Sequence, residues 1–68
     1  MYQQNDKRLL SRVEVEQRYG ISKRYLEIAA LQGGGPAMVK IGRLVRYRPS
    51  DIDTWIESRT VRSTSETL

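Results

Sequence analysis

The segment between Ser22 and Gly35 limits what this chain can fold into, because the sequence marks both of its ends. Ser22 is a favoured helix N-cap residue, since its hydroxyl can accept a hydrogen bond from a backbone N–H of the first turn. Three consecutive glycines and a proline, at residues 33–36, cannot continue a helix. The sequence therefore predicts a short helix over residues 23–31.

The two faces of this predicted helix differ in character. Its inward face is predicted to carry Leu26, Ala29 and Ala30. Its outward face is predicted to carry Arg24, Glu27, Ile28 and Leu31. A helix that packs through a narrow apolar side and presents charged groups on the other has the form that proteins insert into a DNA groove. We therefore predict that this helix recognises DNA and that the other residues support it or extend its contacts.

Another short helix is predicted just before this one. Ser11 and Glu14 have the spacing of a capping box, in which each side chain bonds the backbone N–H of the other residue. Leu10 and Val15 have the spacing of a hydrophobic staple around the same cap. These two signals predict a helix over residues 12–18.

The junction Tyr19-Gly20-Ile21 separates the two predicted helices. Gly20 can take a positive φ and end the first helix, and Ile21 with Leu26 repeats the staple spacing. Two short helices joined by a tight turn that contains glycine form the helix-turn-helix pattern. An αα-corner in an unrelated small domain is the alternative interpretation.

Residues 38–47 predict a two-stranded β-hairpin around Gly42 and Arg43, and two registers are open. A two-residue turn at these positions places Val39, Ile41, Leu44 and Arg46 on one face. A three-residue loop that ends at Leu44 places Val39, Ile41, Val45 and Tyr47 together. Because one face must be buried, the second register is favoured, although three-residue loops prefer glycine at their last position.

A third helix is predicted over residues 51–59. Ser50 is the expected N-cap, and Asp51 and Asp53 place negative charge on the first turn, where the helix dipole favours it. Apolar residues then recur at helical spacing. The predicted core consists of Val15, Leu26, Ala30, Ile41, Val45, Ile52, Trp55 and Ile56.

These elements predict an α+β fold, a small winged helix-turn-helix with three short helices and a two-stranded β-hairpin wing. The 68 residues allow one domain at most, so we expect a loose N-terminal arm at 1–8, the domain at 9–59 and a flexible tail at 60–68. No apolar run approaches the roughly 18 residues that span a bilayer, and the start MYQQNDKR does not have the pattern of a signal peptide. We therefore expect a cytoplasmic protein with no membrane contact.

Catalysis is not expected from this composition. The chain has no histidine and no cysteine, which removes the commonest general base and the thiolate metal ligands. Glu14, Asp51 and Asp53 are explained by helix capping. The glycine run lacks the Lys-Ser/Thr that completes a phosphate loop. We therefore predict no enzyme, no catalytic residue, no metal site and no cofactor.

The basic residues give the most direct indication of function. Twelve Lys and Arg against eight Asp and Glu give a net charge of +4, which suits a nucleic-acid-binding domain. Six cations flank the second helix and the hairpin, and they are Lys23, Arg24, Lys40, Arg43, Arg46 and Arg48. Cations so placed neutralise DNA phosphates.

Base contacts are expected from the outward face of the second helix. Arg24 suits a guanine and Glu27 suits the amino group of a cytosine. Ile28 and Leu31 suit a thymine methyl group. For these two apolar residues, packing against the hairpin or against a neighbouring subunit is the alternative.

Two strings of the sequence resemble a known family: LLSRVEVEQRYGISKRYLE at 9–27 and GGGPAMVKIGRLVRYRPSDIDTWIESR at 33–59. Together they resemble the excisionase branch, or recombination directionality factors, of the MerR-like winged helix-turn-helix proteins. The string from Gly35 through Trp55 is the specific part. Many relatives have Thr-Leu-Tyr-Arg-Trp in the recognition helix, where this chain has Tyr-Leu-Glu-Ile-Ala at residues 25–29.

The resemblance implies that residues 22–31 enter the major groove and that the wing, with Gly42-Arg43 at its tip, reaches an adjacent groove. The implied DNA contacts of the recognition helix are Ser22, Lys23, Arg24, Tyr25, Glu27 and Ile28. The implied contacts of the wing are Lys40, Gly42, Arg43, Arg46 and Arg48. The resemblance also implies a small accessory protein of a mobile genetic element that bends DNA and sets the direction of an integrase, or that regulates transcription.

The partners that the resemblance implies are double-stranded DNA, an integrase and further copies of the chain, bound head to tail on tandem sites. A second class of function stays open at this point. A protein-interaction module, such as an anti-repressor, can reuse the same fold without binding DNA, because fold does not dictate function.

Overall fold

The computed structural model describes residues 8–62. Its elements are α1 (Arg12–Tyr19), α2 (Lys23–Gln32), β1 (Val39–Ile41), β2 (Leu44–Arg46) and α3 (Pro49–Ser58). The two strands pair antiparallel and form the wing, so the fold is the α+β winged helix-turn-helix that the sequence predicts. Most of the expected arm and tail, at 1–7 and 63–68, lies outside the described residues. No helix within 8–62 is long and apolar enough to cross a membrane.

α1 begins at the predicted residue and ends at Tyr19, one residue later than predicted. The Ser11 hydroxyl accepts from the Glu14 N–H at 3.2 Å, and the Glu14 carboxylate accepts from the Ser11 N–H at 2.9 Å. The bond from the Ser11 backbone, with the nearby Arg8 guanidinium, holds the pKa of Glu14 below its ordinary value. At the other end Gly20 has a φ of 77°, which glycine adopts without steric cost. Three residues therefore suffice to connect α1 to α2.

The core lies where the three helices meet the base of the wing. Its buried side chains are Leu10, Val15, Leu26, Ala29, Tyr47 and Ile52. The predicted core residues Val15, Leu26 and Ile52 are confirmed. Ala30, Val45 and Trp55 are half-buried rather than buried. The prediction was wrong for Ile41 and Ile56, which are exposed.

Three core residues, Leu10, Ala29 and Tyr47, were missing from the predicted core. Leu10 and Tyr47 join the start of the domain to the end of the wing. Each donates its backbone N–H to the carbonyl oxygen of the other, and both bonds are 2.8 Å long. Tyr47 is 1% exposed and Leu10 is fully buried. The base of the wing is therefore part of the core.

The register of the wing differs from the favoured prediction. Ile41 pairs with Leu44 and Lys40 pairs with Val45, so the turn has two residues, Gly42 and Arg43. Gly42 has a φ of 60°, and no residue of 8–62 other than glycine has a positive φ. This is the pattern of a type II′ turn, which takes glycine at its first central position.

The three-residue loop was therefore the wrong prediction, because its premise of one buried face does not hold at the tip of the wing. Directly opposed residues of an antiparallel pair lie on the same face. Ile41 and Leu44 lie side by side there, 53% and 51% exposed. Turn chemistry, rather than burial, fixes the register of strands this short.

α3 begins earlier than predicted. Its first residue is Pro49 and its N-cap position is Arg48, so the prediction of Ser50 as the cap was wrong. Proline suits the first helical position because the N–H that it lacks has no partner there. Asp51 still lies in the first turn, as predicted. The Arg48 guanidinium donates to the Asp51 carboxylate at 3.3 Å.

Polar contacts attach α3 to α1 and to the loop after α2. The Trp55 indole N–H donates to the Gly34 carbonyl at 2.8 Å, and the Arg59 guanidinium donates to the same oxygen. Arg59 also lies over the Trp55 ring, 5.1 Å from its centroid. Trp55 thus connects α3 to the loop after α2 instead of filling the core. The Tyr19 hydroxyl donates to Asp53 at 3.0 Å, and burial together with this bond raises the pKa of Tyr19.

Candidate nucleic-acid interface

α2 has one buried side and one exposed side, as the sequence predicts. Leu26 and Ala29 are buried against the rest of the domain. Arg24, Ile28 and Leu31 are exposed, and Leu31 is 90% exposed. The exposed residues follow each other at helical spacing, so they form a single stripe along α2.

The first turn of α2 places three of the predicted DNA contacts in different situations. The Ser22 hydroxyl accepts from the Tyr25 N–H at 3.0 Å, so it acts as the N-cap. The Lys23 ammonium lies 3.9 Å from the Glu27 carboxylate, in an exposed pair that is energetically weak. The Arg24 side chain makes no hydrogen bond or ion pair with any other residue of 8–62. Arg24 is therefore available to an external partner.

Tyr25 leaves the exposed stripe of α2 and leans toward α3. Its ring centroid lies 6.3 Å from that of Trp55, with the two planes at 49°. Tyr25 is nevertheless exposed. The predicted contacts of α2 thus extend from Lys23 on one edge of the helix to Tyr25 on the other.

The predicted contacts of the wing divide into three groups. Lys40 and Arg43 are exposed, and within the described part of the chain neither side chain has a hydrogen-bond or ion-pair partner. Arg46 is half-buried and donates to the Val45 carbonyl at 2.9 Å. Arg48 lies beyond the strand, at the start of α3, where Asp51 pairs with it.

A cleft of about 230 Å³ lies between the N-terminal ends of α1 and α2 and the strand β2. We call it the basic cleft, because its charged lining consists of Arg12, Lys23, Arg43 and Arg46. No carboxylate among residues 8–62 lines it. The fold thus brings three of the six predicted cations together with Arg12. An arrangement of this kind attracts an anion and disfavours a cation.

Arg12 is the one charged residue of this lining that was not among the predicted DNA contacts. Its Nε donates to the Tyr47 hydroxyl at 3.1 Å, across 35 residues of sequence. In the sequence, Arg12 is simply the first residue after the Ser11 cap. No local signal could have identified it, because its position in the basic cleft depends on how the wing folds back.

No metal site accompanies these groups in the part of the chain that the structure describes. Nowhere in residues 8–62 do three His, Cys, Asp or Glu side chains come close enough to hold a metal ion. Three acidic side chains lie near this surface and each has a partner. Glu14 accepts from the Ser11 N–H, Glu16 accepts from the Lys23 N–H at 3.2 Å, and Glu27 pairs with the Lys23 ammonium. The surface therefore offers mainly cations and exposed apolar groups, together with the partly exposed Glu27 carboxylate.

Residues 9–60 match a protein family described as the helix-turn-helix domain. The chain belongs to this helix-turn-helix family. The match covers most of the chain and includes all five elements of the fold. The family includes excisionase-like DNA-binding domains and is typically non-enzymatic, so membership indicates that double-stranded DNA is the partner of this helix-turn-helix domain. No curated protein matches the chain significantly.

Proposed function

We propose that this domain is a sequence-specific DNA-binding accessory protein of a mobile genetic element, either an excisionase-type recombination directionality factor or a related transcription regulator. One observation carries the DNA-binding part. The exposed stripe of α2 lies next to the basic cleft, so a groove-reading helix and a phosphate-attracting surface are adjacent.

In this proposal α2 lies in the major groove, with its first turn closest to the bases. Arg24 reads a guanine, since its guanidinium is exposed and no residue of 8–62 engages it. Glu27 accepts from a cytosine, and Ile28 contacts a thymine methyl group. Ser22, Lys23 and Tyr25 extend the contact along the helix.

The wing lies against the adjacent groove in the same proposal. Gly42 forms its tip and allows the backbone to turn within two residues. Lys40 and Arg43 contact phosphates, since both are exposed. Arg46 and Arg48 add charge at the base of the wing, although each also has a partner within the domain.

The proposed assembly on DNA, with several copies and an integrase, rests on the resemblance to excisionases and on exposed apolar surface. One small domain makes a contact area that seldom gives tight specific binding alone. Leu31 and Leu44 are exposed and offer a neighbouring copy an apolar surface to bury. Head-to-tail contacts of this kind are heterologous and need not close into a ring. We therefore propose that copies bind tandem sites cooperatively, bend the DNA and act together with an integrase.

Binding to random-sequence duplexes, followed by selection of the preferred site, tests whether the domain binds DNA and prefers one sequence. The affinity should fall steeply with salt, because phosphate contacts release counterions. The selected site should be bound roughly a thousandfold or more tightly than random duplex. Absence of binding to any duplex, even at low salt, would contradict DNA recognition.

Duplexes that carry one copy or two adjacent copies of the selected site test the assembly. Protection of both sites should develop together over a narrow concentration range, and the DNA ends should approach each other in a fluorescence energy-transfer measurement. Independent filling of the two sites with equal affinity would exclude the assembly and leave simple DNA binding in place. Excision assays with the integrase encoded nearest to this gene then distinguish a directionality factor from a transcription regulator.

A second candidate function is a protein-interaction module, and the exposure of Leu31 favours it. A Leu side chain that is 90% exposed next to the exposed Ile28 offers an apolar surface to a protein partner. The same salt series distinguishes the two functions, since such a module would bind no duplex at any salt concentration.

A further inference from the structure

We infer that Arg12 and Tyr47 form a phosphate-binding unit in the basic cleft, in which Arg12 binds a backbone phosphate of DNA and the Tyr47 hydroxyl orients its guanidinium. This inference rests on the proposed DNA binding and assigns to it a residue outside both the recognition helix and the wing. The ligand is a phosphodiester of the sugar–phosphate backbone, so the contact carries no sequence preference.

The Arg12 Nε donates to the Tyr47 hydroxyl at 3.1 Å. Tyr47 is 1% exposed, and both its backbone N–H and its carbonyl oxygen are hydrogen-bonded to the backbone of Leu10. Its hydroxyl therefore has a fixed position. The hydroxyl takes one of the five N–H donors of the guanidinium. No carboxylate of residues 8–62 pairs with Arg12, so its remaining donors are available to a ligand.

The charge of the basic cleft favours an anionic ligand. Lys23, Arg43 and Arg46 line it together with Arg12, and no carboxylate does so within the described residues. A guanidinium is a planar fork that matches two oxygens of a phosphate, and it loses less conformational entropy on binding when it is already oriented. Tyr47 supplies that orientation from the core, whereas a free surface arginine has to be immobilised by the DNA.

The position of the cleft identifies the anion as the DNA backbone. When α2 lies in the major groove and the wing lies against the adjacent groove, one sugar–phosphate strand separates the two elements. The basic cleft lies between the N-terminal end of α2 and β2. The sugar–phosphate strand between the two DNA grooves therefore passes along Arg12.

A purely structural role for Arg12 is the competing explanation. The buried Tyr47 hydroxyl needs a hydrogen-bond partner, and Arg12 provides it. Such a role affects the stability of the domain and leaves the number of phosphate contacts unchanged. The two roles are therefore separable by the salt dependence of binding.

The experiment compares the parent, Arg12→Ala and Arg18→Ala for binding to random duplex and to the selected site over a salt series. Arg18 is an exposed residue of the last turn of α1, outside the basic cleft, so it controls for the loss of one positive charge. Arg12→Ala should bind about tenfold more weakly on both duplexes. The slope of log K against log salt should fall by about 0.9. Arg18→Ala should keep the slope of the parent.

Tyr47→Phe tests the orienting role, because it removes the hydroxyl and keeps the ring in the core. It should weaken DNA binding by several-fold in the parent and should cause no further loss in Arg12→Ala, since the hydroxyl acts through Arg12. Equal losses in both backgrounds would show that the hydroxyl does not act through Arg12. Melting monitored by circular dichroism verifies that each variant is folded at the temperature of the binding assay.

Arg12→Lys supports the test if Arg12→Ala does not fold. A lysine keeps the charge but is not a planar fork, so the salt slope should stay and the affinity should fall about as far as in Tyr47→Phe. Parent affinity in both Arg12→Lys and Tyr47→Phe would overturn the inference. So would an Arg12→Ala variant that binds like Arg18→Ala, and in either case the proposed DNA binding stands. A parent chain that binds no duplex at all overturns both.

Discussion

The α1–α2 pair and the wing contribute the two halves of the proposed interface, and they are held in place differently. α2 is held in place by its own core-facing side chains, since its residues Leu26 and Ala29 are buried against the rest of the domain. The wing is positioned by Tyr47 at its base and by the half-buried Val45, which packs against the core, while its tip exposes Ile41 and Leu44. Its shape at the tip depends on the backbone of the turn. The helix is thus suited to present side chains at fixed positions, and the wing tip is free to adapt to a partner.

The largest expected effect is on stability. Leu26→Ala should lower the free energy of unfolding by about 2–5 kcal/mol, because it leaves a cavity beneath α2. Ile41→Ala, at the exposed tip of the wing, should change it by about 0.5 kcal/mol or less. Urea unfolding monitored by circular dichroism measures both values. Similar costs for the two variants would show that the tip of the wing is packed as tightly as the helix.

The second effect is on base recognition. Arg24→Ala should lose about 1–3 kcal/mol of binding free energy at the selected site and should relax the preference at one base position. Arg43→Ala, at the wing tip, should weaken binding to selected and random duplexes alike. Repeating the site selection with each variant measures the difference. If Arg24→Ala selects the same site as the parent, Arg24 contacts a phosphate and the helix does not read that base.

The third effect concerns the turn of the wing. Gly42→Ala should destabilise the domain by about 1–2 kcal/mol, because a Cβ is unfavourable at a φ of 60°. Lys40→Ala, on the adjacent strand, serves as the control, since its φ is not positive. The melting temperatures of the two variants, compared with that of the parent, measure the cost of a Cβ at this position. An unchanged melting temperature in Gly42→Ala would mean that the turn relaxes at no cost, and that something other than the turn fixes the register.

The smallest effect is a pH dependence of the α1–α2 pair. The pKa of Glu14 is lowered in the folded domain, so its contribution to stability is present above the ordinary pKa of a glutamate and is lost as the pH falls through the lowered value. Glu14→Gln should therefore be less stable than the parent at neutral pH, and the difference should shrink below about pH 4. Thermal melts over a pH series measure it.

Local chemistry made the α1–α2 pair predictable from the sequence. The caps at Ser11 and Ser22 and the stop at Gly20 each depend on residues within one or two turns of the chain. The burial of Leu26 follows from helical spacing alone. The wing was less predictable, because no residue of its two three-residue strands is fully buried and the predicted register required a buried face. Turn chemistry at Gly42 was the better guide.

The candidate interface was predictable only in part, for the same reason. Arg24 and Arg43 could be named because their elements and their charges are visible in the sequence. The basic cleft could not be, since it depends on which edge of α2 faces the wing. Arg12 meets Tyr47 across 35 residues, and Trp55 meets the Gly34 carbonyl across 21. Contacts over such distances leave no periodic signal in the sequence.

The backbone bridge between Leu10 and Tyr47 has a consequence for the order in which the domain folds. Most of its helical contacts are local and can form within microseconds. The bridge joins the two ends of a long chain segment, and that loop must close before the core is complete, at a cost in chain entropy. Closure of this loop is therefore the step that we expect to limit the folding rate. Partly folded chains would contain α1 and α2 but no complete core.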